Sequence, residues 1–415
     1  MSIPTAIYDV IIIGAGVGGA SAAEAVLSCD DARTILLINE EEWLPYDRPP
    51  LSKEVLLSRA QPEEIGLLAD QVRANARLTM RNGTKAAGID RHDKTVRLSD
   101  DSVVGYRSLI LATGSRAREL DPAILDAGPA AAVFHLRTLG DALALRESLA
   151  KGEALRLVII GAGFIGLEVA AAAIRCGCDV TVLEAGPRVV GRGASGPVAE
   201  FLRQRHEREG VRFLLQAQAA GIARVGAGLQ VTLADGESLP ADAIVVGIGT
   251  IANDGLAHEA GLACANGILV DGCCRTSDPS IYAVGDVACM AEAGVPRTAR
   301  MEHWQAARTM GGIAGRNACG ADERHQEVPW VWTDQYDLNV QFLGHTSDRN
   351  CQVTRGDPAD GKWALFEKDG DALAAATLVN MGRERRTVER LIARRIPVPD
   401  DMLRDAGFEL KSLLR

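Results

Sequence analysis

The stretch that most narrows what this chain can become is Val158 to Glu184, VIIGAGFIGLEVAAAAIRCGCDVTVLE. An apolar run ending at Ile160 enters Gly161-x-Gly163-x-x-Gly166, an alanine-rich helical segment follows, and a second apolar run closes on Glu184. Read in order, that is strand, turn, helix, strand. The three glycines have separate tasks: the first permits a tight turn, the second lets backbone approach a pyrophosphate, and the third lets the helix pack closely on the strand. The helix start then presents unpaired N–H groups and a positive dipole end to the phosphates. The pattern predicts a dinucleotide site.

A second copy stands at the N-terminus. Val10 to Ile13 leads into Gly14-x-Gly16-x-x-Gly19, a helical run extends through Leu27, and Thr34 to Ile38 ends at Asn39-Glu40-Glu41. Two such sites imply two nucleotides. Flavoproteins with two dinucleotide sites usually place FAD in the first copy and the nicotinamide nucleotide in the second, an arrangement built to pass a hydride between them.

The length of 415 residues fits two or three domains. The net charge of -10 argues against nucleic-acid or anionic-membrane binding as the main role, while leaving room for a local basic patch that docks an acidic protein. None of the nine cysteines falls in a metal-ligand spacing, so no metal site is expected. The chain starts SIPTAIYDVIIIGAG, without a basic segment or a spanning apolar run, and a cytoplasmic protein with reduced thiols is the expectation.

Between the motifs, Trp43 to Lys53 is a proline-stiffened loop that delivers Arg48 and Lys53. Residues 78 to 111 read as short strands turning at Asn82-Gly83 and Asp100-Asp101, and Ser108 to Gly114 returns to the first nucleotide sheet. Further strands are expected at 211–215, 228–233 and 243–248, and a helix near Pro197 to Glu209. Ile281 to Asp286 is again a strand ending in Gly-Asp, Met301 to Trp304 opens a helix, and strand signals dominate from about residue 324 to Val379.

These segments together resemble the FAD-dependent, NADH-oxidising ferredoxin reductases that serve Rieske-type dioxygenases and bacterial haem-thiolate monooxygenases. The resemblance runs the length of the chain, through GAGVGG, LPYDRPPLSK, LATGSRAR, VFHLRTLGDA, IIGAGFIGLEVA, TVLEAGPRVVGR, VVGIGTIAND, YAVGDVA, MEHWQAA and VPWVWTDQYDLNVQFLG. It implies an α/β, glutathione-reductase-like fold: two Rossmann-type dinucleotide-binding domains plus a C-terminal α+β domain. The FAD-binding domain would take residues 1–116 and 247–323, the NAD-binding domain 117–246, and the C-terminal domain 324–415.

The resemblance also implies roles. Gly14, Gly16 and Gly18 line the FAD pyrophosphate, and Glu40 or its neighbour Glu41 takes the adenosine ribose hydroxyls. Arg48, Lys53, Ala86, Thr113, Arg137, Asp286 and Trp304 match positions that contact FAD elsewhere along its length. On the nicotinamide side stand Gly161, Gly163, Ile165, Glu168, Glu184, Arg192 and Gly249. Lys53 and Glu168 pair at the flavin and position the nicotinamide for hydride delivery. Glu184 favours NAD over its 2′-phosphorylated form, with Arg188 nearby weakening the preference.

No cysteine pair follows the FAD motif, and Cys29 lies at the far end of its helix, so the electrons are expected to leave to an outside acceptor. The partner implied is an acidic [2Fe-2S] ferredoxin, feeding an oxygenase indirectly, with the reductase a monomer or weak homodimer. A reductase for rubredoxin or another small carrier, and an NADH-sensing flavoprotein like apoptosis-inducing factor, are the alternatives. Two arginine clusters are expected to steer the ferredoxin: Arg383, Arg385, Arg386, Arg390, Arg394 and Arg395, and Arg297, Arg300 and Arg308.

Overall fold

The structure is a computed structural model that describes residues 4–29, 32–126, 132–150, 154–191, 193–291, 298–347 and 350–414. Backbone packing separates two compact units. One comprises residues 1–48, 62–116 and 250–327, and the other 49–61, 117–249 and 328–415.

In the first unit the apolar runs read from the sequence become the buried centre of a mainly parallel sheet. Leu78–Arg81, Ile35–Ile38, Ala6–Ile13 and Val103–Leu111 lie side by side, all parallel, and Ile281–Ala283 joins Val103–Leu111 in parallel as well. Thr95–Leu98 and Ala86–Asp90 extend the edge as an antiparallel meander. Its turns use the left-handed residues Lys94 and Asp101, the second as the Asp-Asp pair predicts, whereas the left-handed Gly83 turns no hairpin: it leads the chain from Leu78–Arg81 at one edge of the sheet to Ala86–Asp90 at the other. Ile35 to Ile38 are all buried, as a strand covered on both faces requires.

Two helices of this unit touch backbone to backbone. A Cβ on Gly311, in the helix Trp304–Ala318, would lie 2.2 Å from the carbonyl oxygen of Gly18, and one on Gly315 would lie 2.6 Å from that of Ala22. Both carbonyls belong to the helix Val17–Cys29, which opens the first glycine loop. The alanine- and glycine-rich composition of the two segments is therefore a packing requirement. It brings the helix start at Trp304 to the first glycine motif.

The second unit repeats the nucleotide sheet. Arg212–Leu215, Asp179–Glu184, Arg156–Ile160, Ala243–Val246 and Val133–Phe134 are parallel neighbours in that order. An antiparallel trio follows, Ala219–Val225, Gly228–Leu233 and Ser238–Ala241. The helix Leu139–Leu149 starts at a capping box in which Thr138 accepts from the Asp141 N–H while the Asp141 carboxylate takes the Thr138 N–H. The last ninety or so residues form a five-stranded antiparallel sheet, Trp330–Gln335, Leu338–Gly344, Ala372–Val379, Trp363–Asp369 and Cys351–Arg355, covered by the helix Arg385–Ala393. Phe342 of this sheet meets Phe164 of the glycine-loop helix at a ring separation of 5.1 Å, and Trp363 meets Phe201 at 5.3 Å. The C-terminal sheet and the second nucleotide fold thus share one apolar core.

The helix contact makes a sharp prediction. Gly311→Ala forces apart two backbones and is expected to lower stability by about 1–3 kcal/mol. Gly312→Ala, one residue on, meets only the far end of the Arg316 side chain, at 3.1 Å, which Glu323 holds; helix propensity offsets that contact, and the change is expected to stay within about 1 kcal/mol of the parent. Chemical denaturation of the two variants checks the contrast.

Candidate active site

The two glycine loops are built alike. Gly14 and Gly161 have φ of +104° and +108°, where a side chain is strained. A Cβ on Gly14 would fall 2.2 Å from the Ala112 carbonyl oxygen, and one on Gly161 2.4 Å from that of Gly247. Gly19 and Gly166 stand equally close to the carbonyls of Gly14 and Gly161, which seats each helix on its strand. The middle glycines differ in the way a ligand cradle needs. A Cβ on Gly163 meets nothing within 4 Å, and one on Gly16 meets only the Arg48 guanidinium at 4.0 Å. Open space beside bare helix-start backbone is what a pyrophosphate requires.

In the first unit the first glycine loop, Thr113 and Asp286 follow the carboxyl ends of the central strands Ala6–Ile13, Val103–Leu111 and Ile281–Ala283. Thr113 follows Ala112 and donates its hydroxyl to the Asn253 carbonyl at 2.8 Å, while Asn253 returns a bond to the Thr113 carbonyl. Asp286 accepts from Ser115 at 2.7 Å. Trp304, at the start of its helix, donates its indole N–H to Asp47 at 2.6 Å, with Arg308 5.3 Å over its ring. Gly18 faces Val284 and the Ala307 carbonyl, so helix packing already accounts for this glycine. Ala86 is buried at the start of the edge strand Ala86–Asp90.

The two candidate ribose carboxylates have different surroundings. Glu41 accepts from the Tyr46 hydroxyl at 2.6 Å and from Arg48 at 3.3 Å. Glu40 is 70% exposed and reaches only Lys85, at 3.2 Å. Asn39, which directly follows the strand Ile35–Ile38, spends its amide on the Trp43 carbonyl and on Asn82.

In the second unit Glu184 is held by its own loop: one carboxylate oxygen accepts from the Ala162 N–H at 2.9 Å and the other from the Gly186 N–H at 2.7 Å. Arg188 donates to the Gly191 carbonyl. Ile165, an exposed apolar side chain, stands on the first turn of the helix Phe164–Arg175, and Gly249 turns the chain at φ +109°. Arg137 precedes the capping box and gives its N–H to Asp141. Arg192 lies outside the described residues.

Lys53 and Glu168 do meet. Glu168 is 5% exposed on the helix Phe164–Arg175, and Lys53 Nζ lies 3.3 Å from its Oε1. Lys53 also reaches Asp334 Oδ2 at 3.2 Å and sits 5.8 Å from the centre of the Trp332 ring. Burial works against the ammonium, but the two carboxylates outweigh it and hold its pKa above the ordinary value. Burial pushes the Glu168 carboxyl up, and Lys53, Ser52 and Thr333 pull it back. Ser52 donates to Glu168 Oε2, and Thr333 donates to Oε1 at 2.6 Å.

Ser52, Thr333 and Asp334 escaped the sequence reading. The signal that could have found Thr333 is in the strand Trp330–Gln335, where Thr333 and Gln335 put polar groups at alternate positions, hence on one face, and both are buried.

The arginine clusters need correction. The Arg300 guanidinium is 9% exposed and paired with Glu302, so it does not face solvent, and Arg297 lies outside the described residues. Arg308 is exposed. Arg385 is bound to Glu389 at 2.7 Å and lies 4.3 Å over Trp330, which stacks on Trp332, and Arg395 pairs with Asp369. Arg383, just before the helix, is exposed, and Arg386, Arg390 and Arg394 remain as an exposed row at four-residue spacing along the helix Arg385–Ala393 and its cap.

Among the described residues no group of His, Cys, Asp or Glu could hold a metal, and no helix is long and apolar enough to cross a membrane. Cys176 and Cys178, at the end of the second glycine-loop helix, have thiols pushed up by burial, Cys178 to about 11. That is the reverse of an activated thiolate.

Because Glu168 is buried, removing its cation is costly. Lys53→Met is expected to destabilise the protein by about 3 kcal/mol, and Glu168→Gln in the same chain to recover much of that loss. Urea unfolding of the single and double variants reads the coupling.

The pyridine nucleotide-disulphide oxidoreductase family model matches residues 8–311, and the reductase C-terminal model matches 330–414. The ferredoxin–NAD(+) reductase component of the anthranilate 1,2-dioxygenase system of Burkholderia cepacia is 39% identical over 97% of this chain and 98% of its own length. Putidaredoxin reductase of Pseudomonas putida is 34% identical over 98% of this chain and 96% of its own. Among solved structures, the covalent putidaredoxin reductase–putidaredoxin complex superposes with a TM-score of 0.91 at 33% identity, covering 98% of each chain.

Proposed function

This chain belongs to the pyridine nucleotide-disulphide oxidoreductase family and carries its reductase C-terminal domain, and from that footing we propose that it is an NADH-dependent, FAD-containing ferredoxin reductase of an oxygenase system. The observation that carries the reading is the pair of matching glycine-loop cradles, each open at its middle glycine. One chain with two dinucleotide sites and no activated thiol beside them has hydride chemistry on its inside and an outside acceptor. Bound FAD supplies the conversion of a two-electron hydride into single electrons.

In the first unit, backbone from Gly14 to Gly18 takes the FAD pyrophosphate, with Arg48 beside Gly16 to balance its charge. Glu41 acts through Arg48, which it holds in place. Glu40, the more available carboxylate, takes the ribose hydroxyls. Ala86, Thr113, Asp286 and Trp304 complete that binding surface; Arg137 and Lys53, which belong to the second unit, are assigned to the flavin from their family positions alone. In the second unit Gly161, Gly163, Ile165 and Gly249 receive the nicotinamide nucleotide. Glu184, fixed by two N–H groups, still has lone pairs for ribose hydroxyls and repels a 2′-phosphate, which favours NADH. The Lys53–Glu168 pair offers the nicotinamide a polar, charge-balanced wall and fixes its approach, a proximity effect. Three domains, divided as the sequence predicts, remain our reading of the chain.

The exposed row Arg386, Arg390 and Arg394, with the stacked Trp330 and Trp332 in the same unit, is the surface we assign to an acidic [2Fe-2S] ferredoxin. Attraction of this kind acts on association rate and is screened over about 8–10 Å at moderate salt. Changing the three arginines to Glu is expected to raise the KM for an acidic [2Fe-2S] ferredoxin and flatten its salt dependence, leaving ferricyanide reduction by NADH intact. NADPH is expected to be the poorer donor in the same assay. Unchanged ferredoxin kinetics in the variant would place the partner elsewhere, and a chain that reduced ferricyanide but no ferredoxin would overturn the function.

A further inference from the structure

Beyond Glu168 a line of buried polar side chains continues through the second unit, and nothing in the proposed reaction uses it. Thr333 and Gln335 point inward from one strand, His206 is fully buried on the helix Gly196–Arg208, and Tyr336 follows the strand. Gln335 Nε2 lies 3.0 Å from Thr333 Oγ1, His206 Nε2 lies 2.9 Å from Gln335 Oε1, and the Tyr336 hydroxyl lies 3.0 Å from His206 Nδ1. With the 2.6 Å bond from Thr333 to Glu168, the chain is continuous.

Its direction follows from the chemistry of the groups. An ionised carboxylate only accepts, so the single Thr333 proton goes to Glu168 and Thr333 must accept from the amide of Gln335. The amide then turns its carbonyl to His206, which donates from Nε2. Burial brings the imidazole pKa down to about 4, so at neutral pH Nδ1 is bare and accepts from Tyr336. Every proton in the line points toward Glu168. Bonds aligned in this way polarise one another, and they are strongest where water is excluded.

We propose that Thr333, Gln335 and His206 are positioning residues that act through Glu168: their aligned hydrogen bonds keep its carboxylate ionised and aimed at Lys53, and so set the acid limit of NADH use. The functional half rests on the assignment of Glu168 to the nicotinamide side. The other charged groups around the line are Asp334 beyond Lys53, and Arg175, Arg205, Glu209 and Asp337 around Tyr336. Loss of the Thr333 donor leaves the burial penalty less opposed, so the Glu168 pKa rises. The protonated, inactive form then persists to higher pH.

Thr333→Val keeps the shape and removes the hydroxyl, and Thr333→Ser restores it. In pH-difference infrared spectra, the band of the protonated Glu168 carboxyl, recognised by its loss in Glu168→Gln, is expected to titrate about one pH unit higher in Thr333→Val. The acid limb of kcat/KM for NADH, with ferricyanide as acceptor, is expected to move by the same amount. Thr333→Ser returns both to the parent values. Nitrogen NMR of the unmodified protein is expected to find His206 as the Nε2–H tautomer. An unshifted carboxyl band or an Nδ1–H tautomer overturns the network. A shifted band with an unmoved NADH limb overturns the functional half and the assignment of Glu168 on which it rests.

Discussion

A carboxylate that burial strips of nearly all its water keeps its charge only if the protein supplies donors in place of that water. Glu168 is such a group, and the middle of the second unit is arranged around it. The helix that opens at Gly163 carries it, Ser52 and Lys53 approach from the segment 49–61, and Thr333 approaches from the C-terminal sheet. Three stretches far apart in the chain converge on one side chain. Each has a reason to be in the same compact unit, because a misplaced member leaves a buried charge unpaired.

That requirement explains why the C-terminal sheet packs on the nucleotide fold as it does. Phe342 and Trp363 supply the apolar contact with Phe164 and Phe201, which holds the strand Trp330–Gln335 at the depth of Glu168. Alternation along that strand then divides the labour. Thr333 and Gln335 turn inward to the carboxylate, while Trp332 and Asp334 attend to Lys53. Outside, Trp330 lies beneath Arg385 on a helix whose other face is a row of arginines. One face of the strand meets Glu168, and the other meets Lys53 and carries the stacked tryptophans.

Much of the fold was legible because its signals are local. The glycine fingerprints, the apolar runs on either side and the left-handed turns at Gly83 and Asp101 each depend on residues close in sequence. Resemblance supplied the Lys53–Glu168 pair, which residue spacing alone could not have joined. What stayed hidden is long-range and polar. Ser52 is 116 positions from Glu168 and Thr333 is 165 positions from it, so no period or spacing links them. The solvent exposure of arginines was equally unreadable. Arg300 and Arg386 look alike as letters, yet one is largely covered and paired with Glu302 and the other is exposed. Glu40 and Glu41 became distinguishable only when Tyr46 and Arg48 folded back on the second of them.

The account depends most on the claim that the buried pair governs how NADH delivers its hydride. Rapid mixing of NADH with the FAD-loaded Lys53→Ala protein, followed by the bleaching of flavin absorbance under single-turnover conditions, tests it directly. The account predicts bound FAD and a bleaching rate lower by roughly tenfold or more, the loss of about 1.4 kcal/mol of transition-state positioning. Bleaching at the parent rate, with FAD still bound, would contradict it.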